Sequence, residues 1–323
     1  MLGRIISVSS GNWVYVWMGL EVNLLSFIPL IVSSINDRET ERALKYFLVQ
    51  ALGSRFILFS AFSITNYPNS MVRCNLSYII IIARIMVKMG IAPFHFWLPH
   101  VMGGIRWFSC MLLRVWQKVA PLLLLRSIIK VEYMSAYIVL GGFGSLVGGV
   151  GGINQSQMRV LLAYSSIGHM GWMLVSMCTS FFVLIIYYII YRVITLSIII
   201  IIVISPMKIV NLSRFRGIPT YIIIFIGVLF ISLGGLPPFV GFYPKMLVLI
   251  EVGSNSLYLR LFILIMGSLI NIFYYLNVFF NVILKSVFYG LRNIYIKEGA
   301  LKLFRMVSIG VLGRLTMGVF ALL

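Results

Sequence analysis

Apolar runs long enough to cross a lipid bilayer recur along nearly the whole chain, and this leaves room for little except membrane-spanning helix. Read between turn signals, they fall near residues 12–34, 43–65, 76–98, 107–128, 134–153, 158–178, 181–204, 218–250, 257–284 and 302–322. A helix needs roughly 20 apolar residues to traverse a hydrocarbon core about 30 Å thick. The expectation is therefore an all-α, polytopic bundle of ten to eleven spans. Of the 323 residues, 61% are hydrophobic and 10% charged, far below the roughly 25% charge of soluble domains. The segments between the runs are too short to build an extramembrane domain that could bind a nucleotide, so residues 1–323 read as a single transmembrane domain. Met1–Ser10, interrupted by Arg4, is too short for a signal peptide or an amphipathic presequence, so insertion falls to the spans themselves.

The formal charge of +19 arises from 26 Lys and Arg against 7 Asp and Glu. On a soluble chain that excess would suggest nucleic acid. Here the cations stand singly near run ends, as at Lys208, Arg214, Arg216, Arg292, Lys297, Lys302 and Arg305, which suits anionic lipid headgroups such as cardiolipin and no nucleic-acid partner. Three acids cluster in Asn36–Arg42, which reads as a solvated loop with the start of a helix. Cys74, Cys110 and Cys178 are isolated, without CxxC spacing or a nearby His or carboxylate, so no metal site is expected.

Two runs contain breaks: Gly90-Ile91-Ala92-Pro93 in the third and Gly234-Gly235-Leu236-Pro237-Pro238 in the eighth. A break frees backbone groups at membrane depth, where only neighbouring helices, side chains or water can satisfy them, and in transporters such breaks lie beside the ion path. A lysine accompanies each, Lys88 before the first and Lys245 after the second. A pair of unrelated proline kinks is the plain alternative. In the fifth run, Gly144, Gly148 and Gly152 recur every four residues, a smooth stripe against which another helix can pack closely. Gly142-Phe143-Gly144 is no phosphate loop, because it lies within a span and lacks the third glycine of GxGxxG.

Glu21, Lys88, Lys118 and Lys245 lie within apolar runs, where each charge costs roughly 2.5–3.5 kcal/mol on insertion scales. Compensation must come from pairing, water or function. Removal from water favours the neutral form of either residue type, and opposed pairing restores the charged form. A row of such groups joined by water can accept and release protons in turn. The competing reading is that Glu21 neutralises one lysine and the others snorkel toward an interface. Arg84 and Arg114 each precede a lysine by four residues and share its helix face; like charges so stacked would repel and depress the lysine pKa further, or else the arginines lie at an interface or headgroup, which is the favoured account. His95 and His169 are further candidates for carrying protons, with locally hydrogen-bonded core histidines as the alternative. His100 reads as loop.

At this point the strings themselves resemble a known family. Trp17–Asn23, Lys45–Gln50, Lys88–Trp97, Trp116–Pro121, Gly151–Gln155, Ala163–Trp172 and Gly234–Lys245, in that order, resemble the subunit 2 family of mitochondrial NADH:ubiquinone oxidoreductase, respiratory complex I. The resemblance implies a multi-pass, antiporter-like subunit of the mitochondrial inner membrane, built on two inverted five-helix repeats, each with an interrupted helix. It implies that Glu21 and Lys88 form the interacting pair of one half-channel, with Lys118 the central link and Lys245 the exit-side lysine. It also implies no cofactor on this chain, with NADH, FMN, the iron–sulfur clusters and ubiquinone held elsewhere in the complex. The implied partners are other membrane-arm subunits, including sibling antiporter-like ones.

Three departures stand out. The family usually has a full span ahead of the Trp-rich helix, where Met1–Ser10 supplies about half of one. Members often carry an acid just after Phe-His-Phe-Trp, where this chain has His100 and Gly103. Arg84 and Arg114 are unusual neighbours for the lysines. A free-standing cation/proton antiporter, or a structural scaffold of the membrane arm, would be the alternative functions.

Overall fold

The computed structural model describes residues 2–32, 37–66, 71–129, 133–204, 220–253 and 258–290, and every regular element among them is helical. Seven helices among the described residues are long and apolar enough to cross a membrane: Trp13–Ile31, Asp37–Ile64, Trp107–Ile128, Met134–Ile153, Met158–Thr179, Phe181–Ile204 and Leu261–Phe280. The runs at 76–98 and 218–250 are each realised as two shorter helices around a break. The run at 302–322 and the cations Lys208, Arg214, Arg216, Arg292, Lys297, Lys302 and Arg305 lie outside the described residues.

The chain groups into two compact units, Met1–Ser135 and a second from Ala136 onward. In the first, α1 (Leu2–Ser9) packs on α2 (Trp13–Ile31). Their backbones touch at two glycines: a Cβ on Gly3 would sit 2.6 Å from the Gly19 carbonyl oxygen, and one on Gly19 would sit 2.4 Å from that of Gly3. The Asn12 side chain accepts from the Val14 N–H at 3.1 Å and caps the start of α2, satisfying one of the orphan donors of the first turn. Helix α3 runs from Asp37 to Asn66, so the helix start read within the acidic segment falls at Asp37. Asp37 and Glu39 occupy its first turn, where negative charge complements the helix dipole. Glu39 is buried and accepts from Arg106 Nε at 3.2 Å. After α4 (Met71–Met89) and the first break come α5 (Trp97–Gly104), α6 (Trp107–Met111), a π-helical turn at Leu112–Trp116 and α7 (Val119–Ile128). His100 is an exposed residue of α5, not loop.

The second unit comprises α8 (Met134–Ile153), α9 (Met158–Thr179), α10 (Phe181–Ile204), α11 (Thr220–Gly234), α12 (Phe242–Gly253) and α13 (Tyr258–Gly290). Helix α9 forms its centre, with 89% of its most apolar stretch buried. The glycine stripe of α8 serves two neighbours. A Cβ on Gly148 would meet the Gly168 nitrogen of α9 at 2.5 Å, whereas one on Gly152 would meet the Tyr274 ring of α13 at 2.9 Å. Close packing is what the stripe predicted, but Gly152 turns to a different helix from Gly144 and Gly148.

Candidate functional site

The first break is a helix ending that the local sequence dictates. Gly90 adopts φ +69°, a left-handed conformation that costs glycine little. Its N–H bonds the Val87 carbonyl at 3.1 Å and the Ile91 N–H bonds that of Met86 at 3.1 Å, the two-bond pattern of a Schellman ending. The Trp97 indole then donates to the Val87 carbonyl at 3.0 Å, so a side chain from beyond the break helps satisfy the backbone that the break freed. Lys88 lies in the last turn of α4, where a cation complements the carbonyl end of the helix. Its stem passes Gly53 of α3, with Cγ 3.9 Å from where a Cβ there would sit.

A second discontinuity, absent from the sequence reading, surrounds Lys118. The Gln117 N–H bonds the Leu112 carbonyl at 2.9 Å, an i→i−5 bond of the π turn. Pro121 has no N–H to offer the Gln117 carbonyl, so regular helix resumes only with the Leu122 N–H on the Lys118 carbonyl at 3.1 Å. Such π segments often mark functional positions. Lys118 is buried, and its Nζ meets no hydrogen-bond partner among the described residues. Arg114, expected at an interface or headgroup, is instead fully buried one turn earlier, within reach of a repulsive charge interaction with Lys118.

Lys88 and Lys118 open onto one cavity of about 20 Å³, which Tyr46, Gln50, Asn23 and Gln117 also line. That volume and its polar walls suit at least one water. Glu21 is half-buried on α2 and acts on Lys88 through its charge without a direct ion pair. Its Oε2 is buried and makes no protein hydrogen bond among the described residues. Two residues further along α2, the Asn23 amide donates to Gln117 Oε1, joining the glutamate helix to the Lys118 segment. Arg4 extends this bridge: it donates to Asn23 Oδ1 at 3.4 Å and lies 4.9 Å over the Trp116 ring. Sequence reasoning missed Arg4, Asn23 and Gln117 as a group, because long-range amide pairing leaves no periodic signature. Gln117 beside Lys118 and Asn23 near Glu21 were the available hints.

In the second unit the break is built in a related way. Gly235 has φ +78° and its N–H bonds the Ile231 carbonyl at 3.1 Å. The Gly234 carbonyl, left without a helical donor, accepts from Lys245 Nζ at 2.6 Å. A Cβ on Gly241 would fall 1.7 Å from the Ser232 carbonyl oxygen, so the returning chain passes where only glycine fits. Lys245 is buried, with Nζ 5.8 Å from the centre of the Trp172 ring, a cation–π distance. Next to it, a cavity of about 10 Å³ is lined by His169, Tyr187, Tyr191, Ser232, Gly241 and Pro244. His169 Nδ1 pairs with the Tyr187 hydroxyl at 3.0 Å.

The structure thus brings Lys88 and Lys118 to one polar pocket in the first unit, with Glu21 off its walls but on the α2 segment whose Leu20, Asn23 and Leu24 line it; in the second, His169 lines a pocket that Pro244, next to Lys245, also lines. His95 is held locally, with Nδ1 3.2 Å from the Pro93 carbonyl and its ring stacked on Phe96. It does not line the Lys88–Lys118 cavity.

The family model described as NADH:quinone oxidoreductase/Mrp antiporter, transmembrane, matches residues 10–271. The chain belongs to this family. Among curated relatives, NADH-ubiquinone oxidoreductase chain 2 of Lumbricus terrestris is 38% identical over 285 residues, covering 86% of this chain and 83% of the relative. The protein of the same name from Anopheles gambiae is 35% identical over 329 residues, covering 98% and 95%. A chain of respiratory complex I from Thermus thermophilus superposes with a TM-score of 0.77 at 26% identity, over 87% of this chain and 68% of that one. A chain of the Mrp complex from Dietzia gives 0.78 at 15% identity, over 86% and 58%, and shows the shared fold. The matched segment contains Glu21, Lys88, Lys118 and Lys245.

Proposed function

We propose that this chain is an antiporter-like subunit of the membrane arm of NADH:ubiquinone oxidoreductase, and that it carries protons across the mitochondrial inner membrane while NADH oxidation and quinone reduction occur on other subunits. One observation carries the reading: Lys88 and Lys118, set at discontinuities of two different helices, open onto a single polar cavity that Asn23, two residues from Glu21, also lines. Two ammonium groups around so small a space disfavour one another, so gaining a proton at one promotes release from the other. Glu21 sets which lysine holds it. A carboxylate turned toward Lys88 stabilises the charge there, and its withdrawal frees that proton for Lys118 through the intervening polar groups and water.

Lys245 is the exit-side member of the relay, and His169, paired with Tyr187 beside the second break, is an additional proton carrier. That each unit contains one helix ended on a left-handed glycine with a lysine nearby supports two inverted repeats. Sibling antiporter-like subunits and anionic lipids such as cardiolipin are the partners this assigns, with NADH, FMN, iron–sulfur clusters and ubiquinone bound elsewhere. The test is Lys88→Met in the assembled complex. Assembly should persist while proton translocation and coupled turnover fall, and unchanged translocation by an intact complex would favour a scaffold.

A further inference from the structure

Helix α3 displays its exposed side chains as a stripe in which Leu48, Leu52, Phe56 and Phe59 surround an equally exposed Arg55. From the adjoining α4, Arg84 lays its guanidinium over the Phe56 ring, 3.7 Å from its centre. Neither arginine takes part in the ion pairs seen among the described residues at Lys45–Glu41 and Arg106–Glu39.

The depth of these charges decides what faces them. Gly53 of α3 lies beside the Lys88 stem, so Arg55, Phe56 and Arg84 sit within about one helical turn of Lys88. Arg55 is eleven residues from the end of α3 at Asn66 and Arg84 thirteen from the start of α4 at Met71. Those separations are about 16 and 20 Å along the helix axes. An arginine seeking a headgroup extends along its helix toward the interface. Arg84 instead folds sideways onto α3 at its own level. Acyl chains are poor neighbours for guanidinium groups at that depth, and such residues are rare unless they face protein or water.

We propose that the α3–α4 face is an interface, covered in the assembled membrane arm by a transmembrane helix of another subunit that presents an Asp or Glu carboxylate to Arg55 and Arg84 at mid-membrane depth. The carboxylate would meet the planar donor forks of the two guanidinium groups, and apolar side chains of the same helix would cover Leu52 and Phe59. The inference draws on the proposed membrane-arm role for the existence of a neighbouring subunit, and not on the proton relay.

Two measurements on the full complex test it. In the first, Arg55→Leu and Arg84→Leu are combined and the fraction of complex surviving detergent challenge is followed by native electrophoresis. Leaving the partner's acid unpaired should lower that fraction by at least about tenfold, with Arg84→Lys recovering part of it, whereas unchanged or improved survival would mean that the face meets lipid and would overturn the proposal. In the second, a photoreactive diazirine side chain at Leu52, with both arginines intact, should crosslink to a membrane segment of another subunit that contains an Asp or Glu. Adducts with lipid alone, or with a segment lacking an acid, would overturn it even if the leucine variants failed to fold. Should the complex form and only the crosslink fail, the interface falls and the relay stands. A Lys88→Met complex that pumps normally would remove the relay and leave the interface untouched.

Discussion

Replacing Lys245 with methionine, beside the matching change at Lys118, separates what the two lysines do for the fold from what they do for protons. Lys245 Nζ is the donor that satisfies the Gly234 carbonyl at the second break, at 2.6 Å in a buried setting. Methionine fills similar volume and cannot donate, so the carbonyl is left unpaired at a cost of about 1–3 kcal/mol. At 1.36 kcal/mol per factor of ten, local opening of the break should rise roughly 5- to 150-fold. Hydrogen exchange of the complex, read by mass spectrometry on peptides spanning residues 230–245, measures that opening. Lys118 Nζ makes no protein hydrogen bond among the described residues and lies near the buried charge of Arg114. Its replacement by methionine removes a cation that is costly to bury. Exchange in the peptides around residue 118 should therefore stay level or slow. Both variants should lose proton translocation. Unchanged exchange at 230–245 in Lys245→Met, or an equal rise around residue 118 in Lys118→Met, would refute the division of roles.

Three further outcomes follow from the packing. Gly241→Ala places a Cβ on the Ser232 carbonyl oxygen and should cost about 1–3 kcal/mol through overpacking, seen as a lower melting temperature of the complex. Asn23→Leu removes the amide that joins Arg4 to Gln117; the unpaired groups should cost about 1–3 kcal/mol, and coupled turnover should slow, whereas a normal turnover rate would exclude the bridge from the relay. Arg106→Gln breaks the contact to Glu39, but the arginine side chain is 47% exposed, so thermal denaturation should register a loss of about 1 kcal/mol or less, smaller still at high salt.

The spans were legible because apolar length is a direct imprint of the bilayer, and the helices from α8 to α10 fall within a residue or so of the runs that announced them. Both breaks were legible because glycine and proline act locally: the left-handed turns sit at Gly90 and Gly235, inside the motifs that flagged them. Glu21, Lys88, Lys118 and Lys245 stood out because charge is scarce in such a chain. What stayed hidden depended on contacts between distant segments. The π turn before Lys118 ends on the Gln117 N–H to Leu112 carbonyl bond, upstream of Pro121, and proline alone predicts only a kink. The Arg4–Asn23–Gln117 bridge joins residues up to 113 positions apart, and no helical period relates them. The acids near residue 40 looked solvated because they are charged, but Glu39 is drawn inward by Arg106 from a later loop.

The relay stands or falls on one ratio, protons translocated per NADH oxidised, measured on proteoliposomes holding the assembled Lys118→Met complex beside the unmodified one. A clear drop in that ratio or a collapse of coupled turnover, with the complex intact on native gels, is the predicted result. An intact variant complex that pumps as many protons per NADH, at the original rate, would contradict it.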